Sequence, residues 1–173
     1  VFHAASQFAA KVVAWYLWRV YLRQTPPIVK TMASQLTWHG PDLVDNEAAV
    51  YLTFDDGPHP VITRQAMQIL SRFDAPATFF CVGENIEKHP DVMEELEAQG
   101  HAIGNHSYAH ESGWNTPNYS YLKSFIQCQS LTDAKWFRPP YGRITRSQAE
   151  AISAQTEVVM WDVLSADFDV KKT

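Results

Sequence analysis

From Ala49 onward, short apolar runs rich in β-branched residues alternate with stretches whose apolar positions recur every three or four residues. A continuous apolar run of four to eight residues reads as a strand, and a 3.6-residue period reads as an amphipathic helix. Val50 to Phe54 is the first such strand, ending in the turn-forming Asp55-Asp56-Gly57-Pro58. Ile62, Ala66, Ile69, Leu70 and Phe73 mark one helix face, and Ala77 to Val82 follows as the second strand. Pro90 stands at a favoured first helical position, Val92, Met93 and Leu96 give the face, and Gly100 terminates it. His101 to Asn105 is strand three, Tyr121 to Leu131 a helix, and Trp136 to Arg138 a brief strand four. Thr145-x-x-Gln148 is a capping box opening a helix to Ala154, and Val158 to Val163 closes the series as strand five. Strand and helix alternating at this spacing make parallel βα units, so the fold class is α/β, as an open sheet or a barrel.

At 173 residues, 46% of them hydrophobic, the chain is long enough for one domain with a sizeable core. Fourteen Lys plus Arg against nineteen Asp plus Glu give a net charge of −5, which excludes a general nucleic-acid binder. The first 41 residues carry Lys11, Arg19, Arg23 and Lys30 and no acid, so they form a cationic leader. Within it Phe8, Val12, Trp15, Trp18 and Leu22 predict an amphipathic helix near residues 5 to 23, suited to packing on the domain or to contact with a membrane surface. Its longest uncharged apolar run, Val12 to Trp18, falls well short of the roughly 20 residues that span a bilayer. Arg19 and Arg23 occupy the place of a signal-peptide cleavage site, so no clear signal peptide is read. Thr25-Pro26-Pro27 stops the helix and a polar linker runs from Thr37 to Glu47, which divides the chain into residues 1–41 and a main domain over 42–173. Cys81 and Cys128 form no CxxC pair and demand no disulfide framework. The start at Val1 and the stop after a strand-like segment suggest a fragment.

In parallel α/β folds the functional groups gather at the carboxyl ends of the strands. Strand one ends in Asp55-Asp56, strand three runs into His106-Ser107-Tyr108-Ala109-His110, strand four into Arg138-Pro139-Pro140-Tyr141-Gly142, and strand five into Asp162 to Asp167. One carboxylate with two imidazoles is a fitting ligand set for Zn2+, with Co2+ or Ni2+ able to use the same donors, and three protein ligands leave a position open for catalysis. Two adjacent aspartates need separate tasks, because like charges held together raise one pKa. One can hold the ion while the other serves as a base kept ionised by Arg138, and spacing alone does not say which does which. No GxGxxG, GxxxxGK[ST] or GxSxG occurs, which argues against phosphate cradles and a serine nucleophile.

Three segments, Thr53-Phe54-Asp55-Asp56-Gly57-Pro58-His59, His106-Ser107-Tyr108-Ala109-His110 and Arg138-Pro139-Pro140-Tyr141-Gly142, stand in the order of the polysaccharide deacetylase motifs. Over roughly Ala49 to Asp169 the chain resembles carbohydrate esterase family four, the NodB homology domain. The resemblance implies a distorted (β/α) barrel, C-terminally incomplete here, that removes acetyl groups from N- or O-acetylated polysaccharide such as peptidoglycan or a chitin-like glycan. It implies a divalent metal held by Asp56, His106 and His110, with Asp55 as general base oriented by Arg138. The backbone N–H of Tyr141 would bind the oxyanion. It favours a cell-envelope or extracytoplasmic setting. Trp114, close after the second motif, is a candidate sugar-stacking platform as well as a packing residue.

Two departures from the family pattern follow. The fourth motif stands as Leu164-Ser165-Ala166-Asp167-Phe168, without its first carboxylate and tryptophan, with Asp162 as a candidate stand-in. The family's Leu-x-His segment, whose histidine protonates the leaving group, is expected beyond position 173, so the chain alone is expected to be poorly active. The alternatives are a glycan-binding relative that keeps the metal cage without catalysis, and a hydrolase of non-sugar amides. His59 reads as a surface turn residue near the first motif, and His3, His39, His89 and His101 as ordinary polar positions.

Overall fold

The computed structural model describes residues 24–44 and 47–167. The helix expected near residues 5 to 23 and the chain from Phe168 lie outside the described residues. The chain forms two compact units, residues 1–34 with 161–173, and residues 35–160. Among the described residues no helix is long and apolar enough to cross a membrane.

In the first unit, helix α1 (Pro27–Met32) begins at the proline pair that was expected only to stop a helix. Pro27 sits where a missing N–H costs nothing and a fixed φ helps. Thr25 donates its N–H to Asp162 O at 3.0 Å and its hydroxyl to Trp161 O at 3.1 Å. The Asp162 carboxylate, the candidate stand-in for the fourth motif, pairs with Lys30 of this same unit.

In the second unit, a small antiparallel pair, β1 (Leu43–Val44) and β2 (Glu47–Ala48), lies in the segment expected to be a linker. The main sheet has strands β3 (Thr53–Gly57), β4 (Thr78–Cys81), β5 (Ala102–Asn105), β6 (Trp136–Phe137) and β7 (Glu157–Val158), in that spatial order and all parallel. The α/β class and the parallel repeat agree with the periodicity. Helices α2 (Ile62–Ser71), α3 (Gly83–Lys88), α4 (Pro90–Ala98), α5 (Asn118–Thr132) and α6 (Arg146–Ser153) connect the strands.

Alternation along β4 divides the two faces of the sheet. Phe79 and Cys81 join Met67, Leu70, Val92 and Leu96 in one buried cluster beneath α2 and α4, while Phe80 points the other way, against the guanidinium of Arg138. A Cβ on Gly104 would come within 2.3 Å of the Phe80 ring, so β5 must carry a glycine there. A second cluster of Tyr121, Phe125, Phe137, Ile152 and Val158 packs α5 and α6 onto β6 and β7. At α6 the capping box forms as read, with the Gln148 N–H reaching the Thr145 hydroxyl and the Gln148 side chain accepting from the Thr145 N–H.

Three boundaries that bear on the site differ from expectation. The first strand begins at Thr53 instead of Val50 and takes in Asp55 to Gly57, because Gly57 still pairs with Cys81 after a bulge. Arg138 falls one residue past β6. The fifth strand is two residues long instead of running to Val163, since beyond it Val159 and Met160 pair with Thr37, a residue assigned to the linker. The helix α3 had no counterpart in the sequence reading, being six residues long and too short for a periodic signal.

Candidate active site

The bulge in β3 is what separates the two aspartates. Three residues, Asp55 to Gly57, are accommodated where β4 advances by two, between the pairs Phe54 with Phe79 and Gly57 with Cys81. Asp56 takes a left-handed φ of 67°, unusual for a residue with a side chain. Asn85 of α3 donates to the Asp56 carbonyl at 2.9 Å and helps hold that turn. The neighbouring carboxylates therefore serve different partners. Asp55 Oδ1 accepts from Arg138 Nη1 at 2.8 Å, whereas Asp56 Oδ1 lies 3.3 Å from His106 Nε2 and 2.9 Å from His110 Nε2.

Arg138 is fully engaged. Its Nη1 also donates to Thr53 Oγ1 at 2.8 Å, its Nη2 to the Met160 carbonyl at 2.9 Å and its Nε to the Val159 carbonyl at 3.4 Å. Its centre stacks 4.1 Å from the Phe80 ring, and the side chain is only 4% exposed. The planar fork thus orients Asp55 from a buried and rigid position.

The loop after β5 is held by a buried polar network. Asn105 Oδ1 accepts from the Ser107 N–H at 2.9 Å, while its amide nitrogen donates to Phe125 O and Gln129 Oε1, both at 3.0 Å. The Ser124 hydroxyl oxygen accepts from the Tyr108 and Ala109 N–H groups at 3.0 and 3.3 Å and donates to Glu111 at 2.7 Å. Glu111 also accepts from Ser107 Oγ at 3.2 Å. From the other side, Gly83 and Glu84 donate their N–H groups to the Ser107 and Tyr108 carbonyls. A Cβ on Gly83 would stand 2.5 Å from the Tyr108 ring, so this approach requires glycine.

Ser107, His110 and Tyr141 share the left-handed backbone of Asp56, with φ of 60°, 55° and 59°. Such residues carry strain of about 1–3 kcal/mol each and persist where their surroundings hold them. Their gathering around one cluster was not legible in the sequence, where no glycine marks these positions.

The cluster has the donor chemistry of a cation site. One nitrogen each from His106 and His110 and one oxygen of Asp56 lie within 4.8 Å of one another. His106 is buried, and its Nδ1 lies 2.7 Å from the Arg138 carbonyl, so that nitrogen carries the proton and leaves Nε2 as a lone pair. Lone pairs and a carboxylate oxygen converging on one point need positive charge between them. Asp56 remains 68% exposed, which leaves the site open to a ligand.

Tyr141 lies beside this cluster, its ring 4.6 Å from that of His110 and 59% exposed. Trp114 does not meet the cluster directly. Its Nε1 donates to the Ile144 carbonyl at 3.2 Å, and the Arg143 guanidinium lies over both its ring and that of Tyr141. His59 caps the start of α2, its Nδ1 accepting from the Val61 and Ile62 N–H groups at 3.2 Å. Sequence reading singled out neither the supporting groups Asn85, Asn105, Glu111 and Ser124 nor Arg143. Only their contacts across the fold mark them.

A family model described as polysaccharide deacetylase matches residues 43–160. The chain belongs to that family. A peptidoglycan-N-acetylglucosamine deacetylase of Bacillus cereus is 35% identical over 130 residues, which are 71% of this chain and 47% of the relative. A chitooligosaccharide deacetylase of Azorhizobium caulinodans is 41% identical over 107 residues, 58% of this chain and 51% of the relative. The crystal structure of a peptidoglycan N-acetylglucosamine deacetylase superposes with a TM-score of 0.70 at 31% identity, over 79% of this chain and 65% of the other. The chain thus spans about half the length of the curated relatives it matches. As a polysaccharide deacetylase domain it has the α/β architecture of its barrel-type relatives, and its Asp-His-His triad fits a divalent cation.

Proposed function

We propose that this polysaccharide deacetylase domain hydrolyses the acetamido groups of an acetylated, extracytoplasmic glycan such as peptidoglycan or a chitin-like polymer, using zinc held by Asp56, His106 and His110. The observation that carries the reading is the division of labour between adjacent carboxylates, Asp56 toward two imidazoles and Asp55 toward a buried guanidinium. Relatives that act on peptidoglycan and on chitooligosaccharide support the substrate class.

One carboxylate and two imidazoles suit zinc and leave an open coordination position. A divalent cation bound there supplies Lewis-acid charge to the acyl carbonyl and acidifies water at neutral pH. Asp55 then accepts the proton of the attacking water, and the hydrogen bond from Arg138 keeps its carboxylate aimed. The Tyr141 N–H donates to the oxygen that gains charge as the carbonyl becomes tetrahedral, a type of contact worth roughly 3 kcal/mol. The C–N bond breaks to give acetate and a free amine, whose nitrogen takes up the proton that Asp55 accepted from water. The exposed Trp114 and Tyr141 rings offer apolar faces to the sugar.

Acetate release from an N-acetylated chitooligosaccharide by the zinc-loaded protein, extended through the expected Leu-x-His segment, tests this reading. Asp55→Asn is expected to lower kcat by about 10²–10⁴ while glycan affinity changes little. A kcat for Asp55→Asn within about ten-fold of wild type contradicts it.

A further inference from the structure

Like Arg72, Arg143 has no counter-ion among the described residues, but Arg143 lies beside the cation cluster. Arg64, Arg138 and Arg146 each meet a carboxylate, whereas Arg143 meets none among the described residues, in a chain of net charge −5. Its guanidinium carbon lies 5.4 Å from the Trp114 ring centre and 5.8 Å from that of Tyr141, within cation–π range of both. Both rings are exposed, Trp114 by 49%.

The arrangement is built rigidly. The Arg143 N–H donates to the Pro140 carbonyl at 3.1 Å, and its carbonyl accepts from the Gly113 N–H at 3.0 Å. The buried Gln148 amide ties down the same loop through the Gly113 and Thr116 carbonyls, at 3.0 and 3.3 Å. A Cβ on Gly113 would stand 2.6 Å from the Arg143 carbonyl, so this stitch requires glycine. The backbone that carries Arg143 is therefore fixed before any ligand arrives. Aromatic rings take the faces of a guanidinium and leave its N–H edge, which matches a carboxylate with two parallel hydrogen bonds. The Tyr141 ring links this edge to His110 of the cation cluster.

We infer that Arg143, framed by Trp114 and Tyr141, is a carboxylate-binding subsite that selects acidic over neutral acetylated glycans. This rests on the glycan reading above and adds a substrate class to it. The ligand is an amino-sugar oligosaccharide whose ring carries a carboxylate, such as a 3-O-lactyl ether, seated so that a neighbouring acetamido group reaches the cluster.

The test is calorimetric titration of the full chain with one oligosaccharide in two forms, the free lactyl acid and its methylamide, beside a neutral N-acetylglucosamine oligomer of equal length. Wild type is expected to bind the acid about ten-fold or more tighter than the amide, the effect of one charge-assisted hydrogen bond. In Arg143→Gln the two forms bind alike. Arg143→Lys keeps the charge without the fork, and its preference shrinks without vanishing; melting curves check that both variants fold. A peptide-substituted form binding as tightly as the free acid supports the subsite and assigns the carboxylate to the peptide. Equal binding of acid and amide by wild type, or a preference that survives in Arg143→Gln, overturns the subsite and leaves the glycan reading standing. Binding of none of the three sugars overturns both.

Discussion

Replacing Arg138 by Met removes a guanidinium that serves five neighbours at once. Its Nη1 holds Asp55 Oδ1 and Thr53 Oγ1 at 2.8 Å, its Nη2 and Nε hold the Met160 and Val159 carbonyls, and Phe80 lies under its face. Met fills much of the apolar volume, so the loss is mainly polar. Breaking a buried ion pair by removing one partner costs about 3–5 kcal/mol. The Asp55 side chain keeps 32% exposure and draws some solvation from water, which places the expected loss near the lower end, about 3 kcal/mol. With a urea dependence of about 1–3 kcal/mol per molar, the unfolding midpoint should fall by about 1–3 M. Adding Asp55→Asn removes the stranded charge, so the double variant should recover about 1 kcal/mol or more relative to the sum of the single losses. Arg138→Lys should remain destabilised, because one ammonium cannot serve Asp55 and the two carbonyls together. A midpoint for Arg138→Met within about 0.3 M of wild type, or strict additivity in the cycle, refutes the reasoning.

Three further outcomes follow from the same contacts. Gly83→Ala places a Cβ 2.5 Å from the Tyr108 ring and 3.0 Å from its Cα, so it should cost about 1–3 kcal/mol and weaken zinc binding through the displaced histidine loop; unchanged affinity by zinc titration argues against that coupling. Thr145→Ala removes half of the capping box on α6 and should lower stability by about 1 kcal/mol in urea unfolding. His101 lies against Phe79 with both ring nitrogens buried and unpartnered, and burial holds its pKa below the ordinary 6.5. The unfolded chain therefore takes up that proton first, and stability should fall as pH drops below 6.5; His101→Phe should flatten the melting temperature between pH 7.5 and 5, and an unchanged slope speaks against it.

Much of this fold is legible in the sequence because its signals are local. Thr145 and Gln148 specify a capping box that forms as read, and the apolar face of α4 packs where its spacing places it; of the face read for α2, Leu70 is buried but Ile62, Ile69 and Phe73 are exposed, because the helix turns Thr63, Met67 and Leu70 to the core instead. The expected site residues fall at strand ends for the same reason, since Asp56, His106 and Arg138 each follow a recognisable apolar run. What was not legible depends on contacts across the fold. The strand read as Val50 to Phe54 extends through Asp55 and Asp56 because β4 pairs again at Gly57. Thr37 looks like a polar linker residue, yet its backbone closes onto Val158 and Met160. Helix α3 is too short to show a period, although it supplies Gly83 and Asn85 to the site. Trp114 reads as a sugar platform or a packing residue, and only the folded chain shows Arg143 over both its ring and that of Tyr141.

The central claim is that Asp56, His106 and His110 bind a single divalent cation. Zinc titration in competition with a chromophoric chelator measures this directly on wild type, Asp56→Ala and His106→Ala. One zinc per chain is expected for wild type. Each substitution should weaken it by more than about 100-fold, since loss of even an outer partner typically costs 10–100-fold. Absence of zinc binding by wild type, or equal affinity in all three proteins, contradicts the account.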